Sequence, residues 1–316
     1  MRSVTRRPSF ALLTLAALAA LALAAPPAAA RAGTYNFVTI DGPAAVGYTY
    51  ASGINDRGQV VGYYGDGSGF HGFVRSADGK SFTTLDDPAG VGNTFATGIN
   101  DRGQIVGTYS DASGGVHGFV RSADGKTFTN FDVPAGIGNT VPNGINNRGQ
   151  VVGFYVDASG VAHGFVRSAD GTTFTSFDDP AGVQCGGFGI NDRGQVAGYY
   201  GDASGGVHGF VRSADGKTFT NFDVPAGVGQ TYPQGINDRG QVVGYYFDAS
   251  GNGHGFVRSA DGKSFTTLDD PAGVFGTTAG TGINARGQIV GIYSDASGNV
   301  HGFVATPRCS RSGIDD

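Results

Sequence analysis

Short apolar runs separated by polar turns come back in one fixed order along this chain, six times over. The Gly-Ile-Asn that opens each copy starts at Gly53, Gly98, Gly144, Gly189, Gly235 and Gly282, at intervals of 45, 46, 45, 46 and 47 residues. In the first copy the runs are Gln59 to Tyr64, His71 to Arg75 and Ser81 to Asp86, with Thr94 to Asn100 opening the next unit. Runs this short, spaced about every ten residues, predict strands and leave no room for helices. Between them lie Asn55-Asp56-Arg57-Gly58, Asp66-Gly67-Ser68-Gly69 and Ser76-Ala77-Asp78-Gly79. Each places Asn, Asp or Ser first and Gly fourth, which marks a type I turn closed by a left-handed glycine. Three hairpins in series make a four-stranded antiparallel meander.

Runs such as Val60-Val61-Gly62-Tyr63-Tyr64 are apolar on both faces of the strand, so each sheet must be covered on both sides. Six such sheets, each covered by its neighbours, predict an all-β fold: a six-bladed β-propeller of four-stranded antiparallel blades. The ends agree with a closed ring. Residues Thr34 to Gly47 match the fourth strand and following loop of a repeat, whereas the last copy stops after His301-Gly302-Phe303-Val304. The N-terminal strand is therefore expected to pair into the last blade and close the ring, a device for which an open solenoid has no use.

Composition narrows the class. Residues 1–32, with Arg2, Arg6 and Arg7 ahead of an apolar run from Phe10 to Ala25 and Ala-rich cleavage sites, read as a signal peptide. The division expected is 1–32 signal peptide, 33–304 propeller and 305–316 C-terminal tail, in a secreted, extracellular or periplasmic protein. From Gly33 onward 17 Lys and Arg face 26 Asp, a net charge of about −9, which argues against nucleic-acid and anionic-membrane partners. No Glu and no Trp occur, and 57 Gly suit turns and strands. Two cysteines, Cys185 and Cys309, are too few for a disulfide framework.

G-I-N-D/N-x-G-Q-V/I-V-G followed by D-A-S-G-x-x-H-G-F resembles the bacterial extracellular HAF repeat, with Gly replacing the middle Ala in all six copies. The resemblance covers essentially the whole chain after the leader. It implies secreted or surface proteins built as propellers, and no activity that can be carried over residue by residue.

The repeated polar residues read as scaffold. His71, His117, His163, His208, His254 and His301 sit on third strands, too far from the axis to share one metal ion, and are expected to tie the Asp-Ala-Ser-Gly turn to the next sheet. Asp66, Asp111, Asp157, Asp202, Asp248 and Asp295 offer weak calcium ligands at most, because no complete calcium loop accompanies them. The pairs Asp86-Asp87, Asp178-Asp179 and Asp269-Asp270 point to opposite faces and cannot share one bond.

The copies differ between Pro-Ala-Gly and the next Gly-Ile-Asn, where the chain passes from an outermost to an innermost strand. Tyr48, Tyr50, Asn93, Phe95, Asn139, Asn143, Gln184, Phe188, Gln230, Tyr232 and Phe275 fall there and are expected around one mouth of the channel. Rings and amides together suit a sugar or a peptide, and the partner expected is a glycan, a peptide or a surface protein. The function expected is a secreted non-enzymatic binding module. The alternatives are a hydrolase or lyase using Asp41, Asp132 or Asp223 at the same mouth, and a passive extracellular structural protein. No cofactor is required.

Overall fold

The computed structural model describes residues 34–308. The leader, Cys309 and most of the expected tail lie outside that range. Six four-stranded antiparallel sheets form a ring, a six-bladed β-propeller. Blade 1 is β2 (Thr49–Ile54), β3 (Val60–Gly65), β4 (Phe70–Arg75) and β5 (Phe82–Leu85), running from the axis outward. The last blade is β22 (Ala279–Ile283), β23 (Ile289–Ser294), β24 (Val300–Pro307) and, outermost, β1 (Tyr35–Ile40). The N-terminal strand closes the ring as expected, with Tyr35 opposite Pro307 and Ile40 opposite Gly302. β24 runs three residues beyond the expected limit at Val304, because β1 is long enough to pair with them.

The repeated residues explain why the sheets form and stack. Gly58 (φ 84°) and Gly79 (φ 74°) close their turns in the left-handed region, where a side chain would strain the backbone. Gly62 has another reason: a Cβ there would stand 1.9 Å from the Tyr50 carbonyl and 2.9 Å from the ring of Phe73, its register partner. Phe73, Phe119, Phe165, Phe210, Phe256 and Phe303 are wholly buried, one per blade, and pack with Val and Ile of the adjoining sheet. No helix of the described residues is long and apolar enough to cross a membrane.

At one end of the channel the blades are tied by a repeated hydrogen-bond ring. Asn55 Nδ2 donates to the Asn100 carbonyl in the next blade at 3.1 Å, and the Asp56 amide to Asp101 Oδ1 at 2.7 Å. The ring closes where Asn284 Nδ2 reaches the Asn55 carbonyl (3.1 Å) and the Ala285 amide reaches Asp56 Oδ1 (2.6 Å). We call this end the lower mouth.

Candidate functional site

The innermost strands carry the site at the opposite, upper mouth. In every blade the pairing of the first two strands slips by one residue just before Gly-Ile-Asn, and the extra residues are Ser52, Thr97, Asn143, Phe188, Gln234 and Thr281. A β-bulge re-aims the side chain that it leaves unpaired. All six bulge residues line one cavity of about 230 Å³ in the channel. Tyr50, Phe95 and Val141 line it above the bulges, and Tyr63, Thr108, Phe154 and Tyr245 add to it from second strands.

No charged side chain lines this cavity. Burial raises the phenol pKa of Tyr63 and Tyr245 well above 10, and burial followed by the field of Tyr48 raises that of Tyr50. The wall is therefore neutral at any physiological pH. Its rings pack on one another: Tyr50 stacks on Tyr63 at 5.0 Å, and Phe95 meets Tyr63 edge-on at 4.8 Å. Thr97 Oγ1 donates to the Pro142 carbonyl (2.8 Å), Asn143 Nδ2 to that of Gly187 (2.9 Å) and Thr281 Oγ1 to that of Ala51 (2.6 Å). Ser52 Oγ differs, being buried with no hydrogen-bond partner.

Of the residues expected at the mouth, Tyr50, Phe95, Asn143 and Phe188 line the cavity. The others do not, because the loop descends between blades and is hemmed to the next one. The carbonyls of Asn93, Asn139 and Gln230 accept the amides of Ser110, Val156 and Phe247. Gln184 is paired with Gly201 inside its blade. Tyr48 packs edge-on against Phe70, and Tyr232 stacks on Tyr245 at 4.7 Å while donating its hydroxyl to Gln230 Oε1. Phe275 lies against His254, outside the channel. Ser52, Thr97, Gln234 and Thr281, outside the expected set, also line the cavity, and their sequence signal is that the position before Gly-Ile-Asn differs among the copies.

The histidines correct a second expectation. Each ties the turn to the outer strand of its own blade, not to the next sheet. His117 Nε2 lies 3.1 Å from Asp111 and Nδ1 2.9 Å from Asp132, and its ring stacks on Tyr109 at 5.2 Å. Burial pulls the imidazole pKa down, but the two carboxylates outweigh it and hold the pKa above 6.5. Asp111 is held low by the Ser113 hydroxyl, the Gly115 amide and His117. Both of its oxygens are thus engaged, and among the described residues no group of three His, Cys or Asp side chains is placed to hold a metal ion. Asp41, Asp132 and Asp223 pair with His301, His117 and His208 and are absent from the cavity lining. Cys185 is buried, which pushes its thiol up to about 12.

The acid pairs split in role. Asp86 faces His71, while Asp87, Asp179 and Asp270 are buried at alternate blade interfaces, each with Oδ2 lacking a partner. The three other interfaces carry Gly42, Val133 and Val224 at that position.

No protein-family model matches the chain, and no curated protein resembles it in sequence. Solved structures do resemble it in fold. A TolB-type protein of Agrobacterium tumefaciens superposes with TM-score 0.58 at 15% identity, over 82% of this chain and 91% of that one. TolB of Acinetobacter baumannii gives 0.55 at 9% identity over 79% of this chain, which spans only 64% of that protein's length. The Aleuria aurantia lectin, solved with alpha-methyl-L-fucoside, gives 0.50 at 12% identity over 89% of this chain and 97% of the other. At these identities the likeness concerns the fold.

Proposed function

We propose that this protein is an exported, non-catalytic binding module that holds an uncharged group, a sugar ring or a neutral peptide side chain, in the upper-mouth cavity. The observation that carries the reading is the convergence of six bulge residues of five types on one neutral, ring-walled cavity. Aromatic walls with a few placed polar groups are the usual make-up of small-molecule sites. The leader-like first 32 residues and the resemblance to extracellular HAF repeats support export.

The test is a screen of residues 33–316 against glycan and peptide arrays, repeated with Ser52→Phe. Blade 4 already carries Phe188 at this bulge, so the backbone accepts the ring while the cavity is filled. The expected result is loss of binding at an unchanged thermal midpoint. Binding that survives S52F would remove the cavity from the function.

A further inference from the structure

The fold sorts charge by face. Every turn between second and third strands, and every exit from an outermost strand, lies at the upper end with the cavity mouth. Six turn aspartates, six at the strand exits and the buried Asp87, Asp179 and Asp270 put fifteen carboxylates there, against six histidines and no Lys or Arg among the described residues. All sixteen described Lys and Arg, with nine Asp, lie at the lower end. One face is strongly acidic and the other is net basic, a division that chain totals conceal.

Two further observations bear on the acidic face. Val46, Val91, Ile137, Val183, Val228 and Val274 stand on it at one equivalent loop position in every repeat, exposed by 41–75%. Packing does not explain six exposed aliphatic side chains, and repeated exposed apolar groups mark contact surfaces. Beneath them the Oδ2 atoms of Asp87, Asp179 and Asp270 are buried and unpartnered. Asp87 and Asp132 both act on the Tyr109 phenol, as Asp179 and Asp223 act on that of Tyr200.

We infer that the upper face docks a basic polypeptide segment carrying apolar side chains, with Lys or Arg over the carboxylates and aliphatic groups on the valine ring. The inference rests on reading the upper mouth as the binding end, and it chooses a peptide over a neutral glycan. Aliphatic groups around the rim offer a sugar neither stacking nor hydrogen bonds, whereas they suit peptide side chains. Opposed potentials also steer a basic chain to this end.

The experiment measures binding of a fluorescent peptide of lysines interspersed with leucine to residues 33–316. The controls are the glutamate–leucine and lysine–serine counterparts. Two double variants remove equal charge from opposite faces: Asp132→Asn with Asp223→Asn above, and Asp124→Asn with Asp215→Asn below. Asn keeps the hydrogen-bonding shape at both places. The lysine–leucine peptide is expected to bind best. The upper pair should weaken it about tenfold and the lower pair less than about twofold. Equal losses from both pairs, or equal binding of the lysine–serine peptide, overturn the inference. So does salt-sensitive self-association in sedimentation, which would give the acidic face to the basic face of a second copy. Peptide binding that persists in S52F supports the face and rejects the cavity. Neutral-glycan binding without peptide binding does the reverse.

Discussion

The two mouths of the channel lie on the same six strands, a few residues apart, and follow opposite rules. At the lower mouth Asn55, Asn100, Asn146, Asn191, Asn237 and Asn284 are one residue type used six times, each buried and each donating across to the next blade. At the upper mouth the bulge positions hold Ser, Thr, Asn, Phe, Gln and Thr. A ring of equal blades needs equal joints, so identity around the ring reports a joint. A ligand needs unlike groups in one place, which a ring of equal joints does not supply.

Breaking the lower mouth should cost most. Asn146 Oδ1 accepts the amides of Arg148 and Gln150, while Nδ2 donates to Gln150 Oε1 and the Asn191 carbonyl. Asn146→Ala leaves those buried groups without partners, and a loss of about 3 kcal/mol is expected in denaturant unfolding. A loss below about 1 kcal/mol would show that neighbouring blades, not the asparagine ring, hold the joint. S52F at the upper mouth should leave the same unfolding curve nearly in place.

This contrast explains what was legible in the sequence. The blade count, strand order and closure by β1 could be read because each rests on local chemistry repeated six times, such as Gly58 in its turn or Phe73 over Gly62. The site could be read only in part. Tyr50, Phe95, Asn143 and Phe188 line the cavity and differ among copies, but Asn93 and Gln230 differ too and lie outside it, their carbonyls held by amides of the next blade. Telling the two apart needs the bulge, a register slip with no residue signature of its own. The histidine partners were misjudged for a related reason. His117 and Asp132 are fifteen residues apart and meet only through third- and fourth-strand pairing, in which Gly118 lies opposite Phe131.

A second, smaller break sharpens the rule that identity marks joints. Interfaces with Asp87, Asp179 and Asp270 alternate with those carrying Val133, Val224 and Gly42. The acids have an unpartnered buried oxygen and the valines have none. If this position is only a joint, Asp87→Val should be neutral or stabilising by about 1 kcal/mol, since apolar replacements of buried charge often are. Asn130 Nδ2, 3.4 Å from Asp87 Oδ1, should then be changed to Ser as in blade 3. A destabilised double variant with weakened peptide binding would instead count the alternation among the differences that serve the ligand.

The smallest effect separates the two ends by the sign of their pH dependence. Each of the six histidines is held above 6.5, since its two carboxylates outweigh the burial that lowers it. A raised folded-state pKa gives stability that is complete below the unfolded value and is lost as pH rises through the folded one. The upper end should therefore lose stability above about pH 6.5. At the lower mouth Asp238 is raised by burial and by the charges of Asp192 and Asp56. That carboxylate carries a penalty once ionised, relieved as pH falls through its raised value. Thermal midpoints across this range should fall as pH rises past 6.5, and His117→Gln, which loses one of six equivalent contributions, should reduce that slope by about a sixth. Asp238→Asn should leave the slope above pH 6.5 untouched and raise the midpoint at neutral pH. A slope that follows D238N rather than H117Q would place the pH-sensitive contacts at the lower mouth.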